Sequence, residues 1–149
     1  VTGVGFDISV LGERDLERRL LALEPKLQAK VLGRAMRAGL QEVLQAARAA
    51  APRRSGEMAR RLRLRKAKVR RKHGLAYYVR TGTRAEMGIP REASGYYPSA
   101  IHQGFLHKRS GKHIAARPYL KPEFDSRRDR ILGTIRSALR AELDAVGRG

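Results

Sequence analysis

His73, His102, His107 and His113 are the side chains best suited to metal or proton chemistry, and their spacing does not serve it. No His-x-x-x-His pair occurs, and there is no cysteine to complete a zinc set. His107 and His113 also flank Lys108, Arg109 and Lys112, charges that repel a cation. Carboxylates are as sparse where a reaction would need them: only Glu86 and Glu92 lie between Met58 and Pro122. A metal-dependent nuclease wants clustered acids, and none are clustered there. No serine sits in a Gly-x-Ser-x-Gly context, and no glycine-rich loop has phosphate-binding spacing. No catalytic residue, metal site or cofactor is therefore expected, and the chain reads as a non-enzyme.

What remains is the chemistry of charge. Lys and Arg number 33 against 14 Asp and Glu, a formal charge of +19. Such an imbalance implies a polyanionic environment: nucleic acid, an acidic protein surface or an anionic membrane. The positive charge peaks between Arg53 and Lys72, with eleven basic residues and one acid, Glu57. Arg53, Arg54, Arg61, Arg63, Arg65, Lys66, Lys68, Arg70 and Arg71 are the candidates for a polyanion or inter-subunit contact. The alternative is a solvated face that balances acidic neighbours. Tyr77 and Tyr78 are the only nearby rings, which argues against a stacking platform for single strands. No base-reading motif is present.

A second feature is Ala115-Ala-Arg-Pro-Tyr-Leu-Lys-Pro122. Two prolines four apart exclude both helix and a paired strand, so the segment runs extended, and Pro122 suits the first turn of a helix. Arg117, Pro118, Tyr119, Leu120 and Pro122 form either a docking arm or a plug in which Tyr119 and Leu120 fill a core gap. In the plug reading Arg117 pairs with an acid or a carbonyl.

These residues need elements to hold them. Phe6–Val10 alternates as a strand. Glu13–Leu23 reads as a helix with Leu16, Leu20, Leu21 and Leu23 mostly to one side, interrupted by Pro25. Lys26–Ala50 carries the strongest helical stripe: Leu27, Val31, Leu32, Met36, Leu40, Val43, Leu44 and Ala47. Gly33 and Gly39 weaken that helix but allow another element to come close. Ser55 and Gly56 suit a turn, the glycine with positive φ. The basic strand should pair antiparallel with Leu75–Thr81, with a bulge near Arg65-Lys66. Leu62 and Leu64 differ in parity from Ala67 and Val69, and a bulge would reconcile them. Ser99–Leu106 reads as a short strand. From Lys121 to Val146 a closing helix presents Phe124, Ile131, Leu132, Ile135, Leu139, Leu143 and Val146, a stripe expected to pack on the Lys26–Ala50 helix.

The expected fold is α+β: an antiparallel sheet of about three to four strands, packed on one side by two long helices plus a short N-terminal helix. A length of 149 residues suits a single domain, 1–149, with extended loops at about 82–97 and 107–113. Those loops are expected contact elements. No apolar run approaches the roughly 18 residues of a membrane span, and Val1–Leu11 lacks the pattern of a signal peptide.

Three segments carry a family resemblance. Ala51-Pro-Arg-Arg-Ser-Gly-Glu-Met58 resembles Ala-Pro-x-(Arg/Lys)-(Thr/Ser)-Gly-x-Leu. Tyr97-Pro-Ser-Ala-Ile-His-Gln-Gly104 is similar to Tyr-x-x-x-(Val/Ile)-Glu-x-Gly, with His102 where an acid is usual. Ala116-Arg-Pro-Tyr-Leu-Lys-Pro122 resembles the Ala-Arg-Pro-Phe-(Leu/Met)-x-Pro block that precedes a closing helix. In this order they resemble the head–tail connector, or tail-completion, family of tailed phages typified by gene product ten of phage Hong Kong 97. The resemblance implies a structural virion protein of the neck or proximal tail, assembled in host cytoplasm. It implies a ring joining the DNA-filled head to the tail, with about six copies suiting a six-fold tail. Its partners would be further copies of itself, neighbouring neck, portal-side and tail-tube proteins, and packaged DNA without sequence preference; no membrane and no cofactor are implied. The alternative is a basic protein that binds nucleic acid independently of sequence. A membrane-active toxin fits less well, because the amphipathic helices carry both charge signs.

Overall fold

A computed structural model describes residues 4–5, 13–52, 56–67, 76–83, 85–86, 88, 90 and 101–149. The described elements run β1 (Val4–Gly5), α1 (Arg14–Leu21), α2 (Pro25–Ala50), α3 (Glu57–Arg61), β2 (Arg63–Lys66), β3 (Tyr77–Arg80), β4 (Phe105–His107), β5 (Lys112–Ile114) and α4 (Lys121–Gly147). The class is α+β, as the pattern of periodicities predicts.

Pro25 starts α2 rather than merely ending α1, since a proline in the first turn gives up no helical hydrogen bond. The helix ends where Ala51 turns extended ahead of Pro52. Val31, Ala35, Met36, Leu40, Val43, Leu44 and Ala47 are buried along it. Pro122 likewise falls in the first turn of α4, which buries Phe124, Ile131, Ile135, Leu139 and Leu143. The two helices pack antiparallel. Arg34 pairs with Glu142 at 3.0 Å near one end of the contact, and Arg130 pairs with Glu42 at 2.9 Å toward the other. Gly39 sits where they touch. A Cβ there would lie 2.4 Å from Ile135 Cγ1 and 3.0 Å from the Ile131 carbonyl. The helix-weakening glycine is thus what lets the two backbones approach.

In α1, Leu16 and Leu20 are buried and Leu21 is exposed. At about 100° per residue, Leu21 falls off the stripe that Leu16 and Leu20 define. Arg19 to Asp144 at 2.6 Å and Arg140 to Glu13 at 2.8 Å tie α1 to the C-terminal half of α4.

The sheet has strand order β1-β3-β2, all antiparallel. Its inward face contributes Tyr77 and Val79 to the core, with Leu64 opposite Val79. The main helix contact of the sheet is α2, while α4 packs chiefly on α2 and α1. Arg37 lies over the Tyr77 ring at 5.5 Å, and Arg48 donates to the Leu62 carbonyl at 3.0 Å.

Three expectations change. The β2–β3 ladder is regular from Arg63 to Lys66 and continues through the Ala67 N–H to the Ala76 carbonyl at 2.8 Å, so there is no bulge at Arg65-Lys66. Leu62 belongs to the exit of α3, not to the strand, which removes half of the parity conflict. Residues 68–75, including Val69, lie outside the described residues, as does the expected strand at Phe6–Val10. Second, part of the segment expected as one strand from Ser99 to Leu106 is a helical turn at 101–103, and a strand starts only at Phe105. Gly104, at φ +74, makes the break, and a Cβ there would lie 2.8 Å from both the Ala116 nitrogen and the Ile114 carbonyl. Third, His107–His113 is not an irregular tip. β4 and β5 form a separate two-stranded ribbon, and the turn between them spans only 108–111.

Candidate polyanion interface

The order of elements explains the arginine face. Gly56 adopts φ +69, which a side chain tolerates poorly, and lets the chain turn into α3. Met58 and Leu62 are buried and pin α3 and its exit. With Leu64 turned toward the core, strand alternation sends Arg63 and Arg65 to the opposite face. Register places Arg80 beside Arg63, and Tyr78 beside Arg65. Residues directly opposite in an antiparallel pair share a face, so Arg63, Arg65, Tyr78 and Arg80 form one outward patch. An open cleft of about 160 Å³ borders it, lined by Arg61, Arg63, Arg65, Gly82 and Glu86.

Glu86 is the acid of this cluster. Its carboxylate lies 3.6 Å from Arg80 and 3.8 Å from Arg65. The Thr83 N–H donates to Oε2 at 2.7 Å, and the Glu86 N–H donates back to Thr83 Oγ1 at 3.3 Å. The Thr83 N–H holds the Glu86 carboxyl below the ordinary glutamate range; desolvation opposes this, and Arg80 and Arg65 reinforce it. A carboxylate seated among guanidiniums marks where an anion is stabilised, since Arg presents planar, paired donors to carboxylate or phosphate.

Of the nominated basic residues, Arg61, Arg63 and Arg65 meet at the cleft. Lys66 is exposed at the end of β2, on the parity opposite to Arg63 and Arg65. Arg53, Arg54, Lys68, Arg70 and Arg71 lie outside the described residues. Sequence reasoning did not nominate Arg80 or Glu86. The signal for Arg80 was its place at the end of a strand expected to pair with the basic one. Glu86 gave no local sign, because it reaches the site through a turn.

The arm divides. Tyr119 and Leu120 are buried, Arg117 and Pro118 are exposed, and Pro122 is exposed in the first turn of α4. This is the plug arrangement for the two apolar residues. Arg117 ties in through its backbone N–H, which donates to the Ile101 carbonyl at 2.8 Å. His102 packs edge-on to Tyr119, with ring centroids 5.7 Å apart. Where the resemblance places an acid, this chain therefore uses a ring contact. Among the described residues, no group of three or more His, Cys, Asp or Glu could hold a metal ion.

An α+β scaffold with an arginine-lined sheet face defines a binding or structural component. The sequence model of the family described as "Bacteriophage HK97-gp10, putative tail-component" matches residues 14–102, and the chain belongs to this HK97-gp10-like family. No curated protein and no solved structure matches it. The match runs from α1 to the helical turn before Gly104; the β4–β5 ribbon and α4 lie beyond it. A phage structural role follows, in the company of other virion proteins. No described helix is long and apolar enough to cross a membrane.

Proposed function

We propose that the protein is a non-enzymatic ring component of the phage neck or proximal tail, joining the DNA-filled head to the tail. The observation that carries the proposal is the outward arginine patch of β2–β3 in a member of a phage tail-component family. Arg65 and Arg80 converge on one carboxylate, Arg63 lines the same cleft, and the whole chain carries +19. Repeating that patch around a ring of about six copies builds a belt of positive potential, which suits packaged DNA or an acidic neighbouring ring. By charge, Arg53, Arg54, Lys66, Lys68, Arg70 and Arg71 are proposed as further candidates for a polyanion or inter-subunit contact. The ring would be a permanent part of the virion after assembly in the host cytoplasm.

Charge reversal at Arg63 and Arg65 tests the function. Both side chains are exposed, so folding should survive. If DNA is the target, particles assemble but hold or deliver the genome poorly; if a protein ring is the target, heads and tails fail to join. Normal infectious particles would leave only a solvated face and overturn the proposal. Duplex binding in solution with no place in the particle would instead favour the sequence-independent nucleic-acid-binding reading.

A further inference from the structure

Every residue from Phe105 to Pro118 is exposed. The β4–β5 ribbon lies in this stretch, and each of its strands has the other as chief neighbour. Phe105 and Ile114 stand directly opposite and share one face, exposed at 37% and 41%, while Leu106, at 60%, belongs to the other face. Three large apolar side chains are thus left in water. The turn that joins the strands is well ordered. The His107 carbonyl accepts the Ser110 and Gly111 N–H groups at 3.1 and 2.9 Å, and His107 Nδ1 lies 2.7 Å from Ser110 Oγ. This turn holds Lys108 and Arg109 at the tip, with Lys112 at its exit. The sequence has no acid between Glu92 and Glu123. None of these three cations pairs with a carboxylate among the described residues.

A two-stranded ribbon is marginally stable in water, and its outer edges offer N–H and C=O groups to a further strand. The β4 edge is the better placed of the two. Phe105 and Leu106 stand on opposite faces along it, whereas β5 offers Ile114 alone. An added strand alternates its own side chains between the two faces, so it covers Phe105 and Leu106 together while its backbone fills the edge. The tip sets the charge of such a strand, because carboxylates there meet Lys108 and Arg109. Duplex DNA also meets cations, but its phosphates give three apolar side chains nothing to bury against. A second copy of this chain fits poorly too: no described strand carries an acid, and apart from Glu86 the described acids lie on the helices and their ends.

We propose that an extended, acidic segment of another virion protein adds as a third strand along the outer edge of β4. Its apolar side chains pack on Phe105 and Leu106, and its carboxylates meet Lys108 and Arg109. The proposal rests on the family's virion role and not on the ring or the arginine patch, which belongs to the other sheet.

Hydrogen exchange of the free chain and of purified particles, read by mass spectrometry, tests the added strand. Amides over 105–107 should exchange about tenfold or more slowly in the particle, and should stay protected in particles emptied of DNA. Lys108→Glu with Lys112→Glu, both at exposed positions, should leave urea denaturation of the free chain unchanged and cut infectious yield about tenfold or more. Revertants of that phage should carry an Asp or Glu replaced by Lys in one other virion protein, a change that could not rescue a misfolded chain. Normal yield from the reversed phage would overturn the proposal, as would compensating changes confined to this chain, or none at all. Protection lost on emptying would assign the ribbon to DNA and remove the protein partner. Joined heads and tails whose ribbon exchanges as fast as in the free chain would also overturn it, while leaving the neck reading intact.

Discussion

Glu86 shows how much one side chain can set in a cationic field. Its carboxyl is held below the ordinary range first by the Thr83 N–H and then by Arg80 and Arg65. A carboxyl depressed on folding contributes stability that is present above its unfolded pKa and is lost as pH falls through the folded one. The Thr83–Glu86 turn should accordingly stay closed through mildly acidic pH and open only below the ordinary glutamate range. The Thr83 amide shift in an NMR titration checks this, and a midpoint at or above that range would contradict it. Glu86 also occupies guanidiniums that an incoming anion needs. Glu86→Gln should raise affinity for duplex DNA by about 2–5-fold, the size of one exposed charge pair, as read by fluorescence anisotropy at fixed salt. Unchanged or weaker binding would mean that Arg65 and Arg80 do not face the polyanion.

At the scale of elements, the α2–α4 contact carries the fold. Leu139 is fully buried in it. Leu139→Ala should cost about 2–5 kcal/mol, through lost burial and the cavity left behind. At Gly39, alanine gains about 1 kcal/mol of helix propensity. It also forces a Cβ against the Ile131 carbonyl, which cannot move without moving α4. Overpacking costs about 1–3 kcal/mol and should win, giving net destabilisation. Urea denaturation reads both substitutions, and a stabilised Gly39→Ala would show that the helices can part cheaply. Gly104→Ala acts elsewhere. It strains a positive φ and pushes on the Ile114 carbonyl, so the β4–β5 ribbon should lose amide protection while α2 and α4 keep theirs. The α1 stripe shows how legible such elements are in sequence: spacing alone put Leu16 and Leu20 inward, but Leu21 needed the observed helix phase.

For the whole molecule, a formal charge of +19 governs association more than folding. If about four arginines and lysines of the basic belt meet phosphates, log affinity for duplex DNA should fall with log salt at a slope near −3.6, at ~0.9 per neutralised phosphate. Reversing both Arg63 and Arg65 should then flatten that slope by about two. A slope unaffected by the reversal would place the contact on another surface. The salt series also bears on assembly: like-charged belts repel at low ionic strength, so rings should form more readily as salt screens them toward a Debye length of about 8 Å.

The sequence by itself determined the α+β class and the two long helices with their packing. Helical stripes, prolines at helix starts and alternation in Tyr77–Arg80 are local signals, each arising from geometry within a few residues. It also determined the charge and named the family found over residues 14–102, a match that contains the Ala51–Met58 motif and the start of Tyr97–Gly104. Tertiary structure decided what depends on meetings between distant residues. Register brought Arg80 beside Arg63, a turn carried Glu86 into their field, and burial assigned Tyr119 and Leu120 to the core while leaving Arg117 outside. It also made a ribbon of Phe105–Ile114, because β4 is stable only when β5 returns to satisfy its backbone. Such pairings are fixed by packing and hydrogen bonding across the chain, and no window of neighbouring residues contains them.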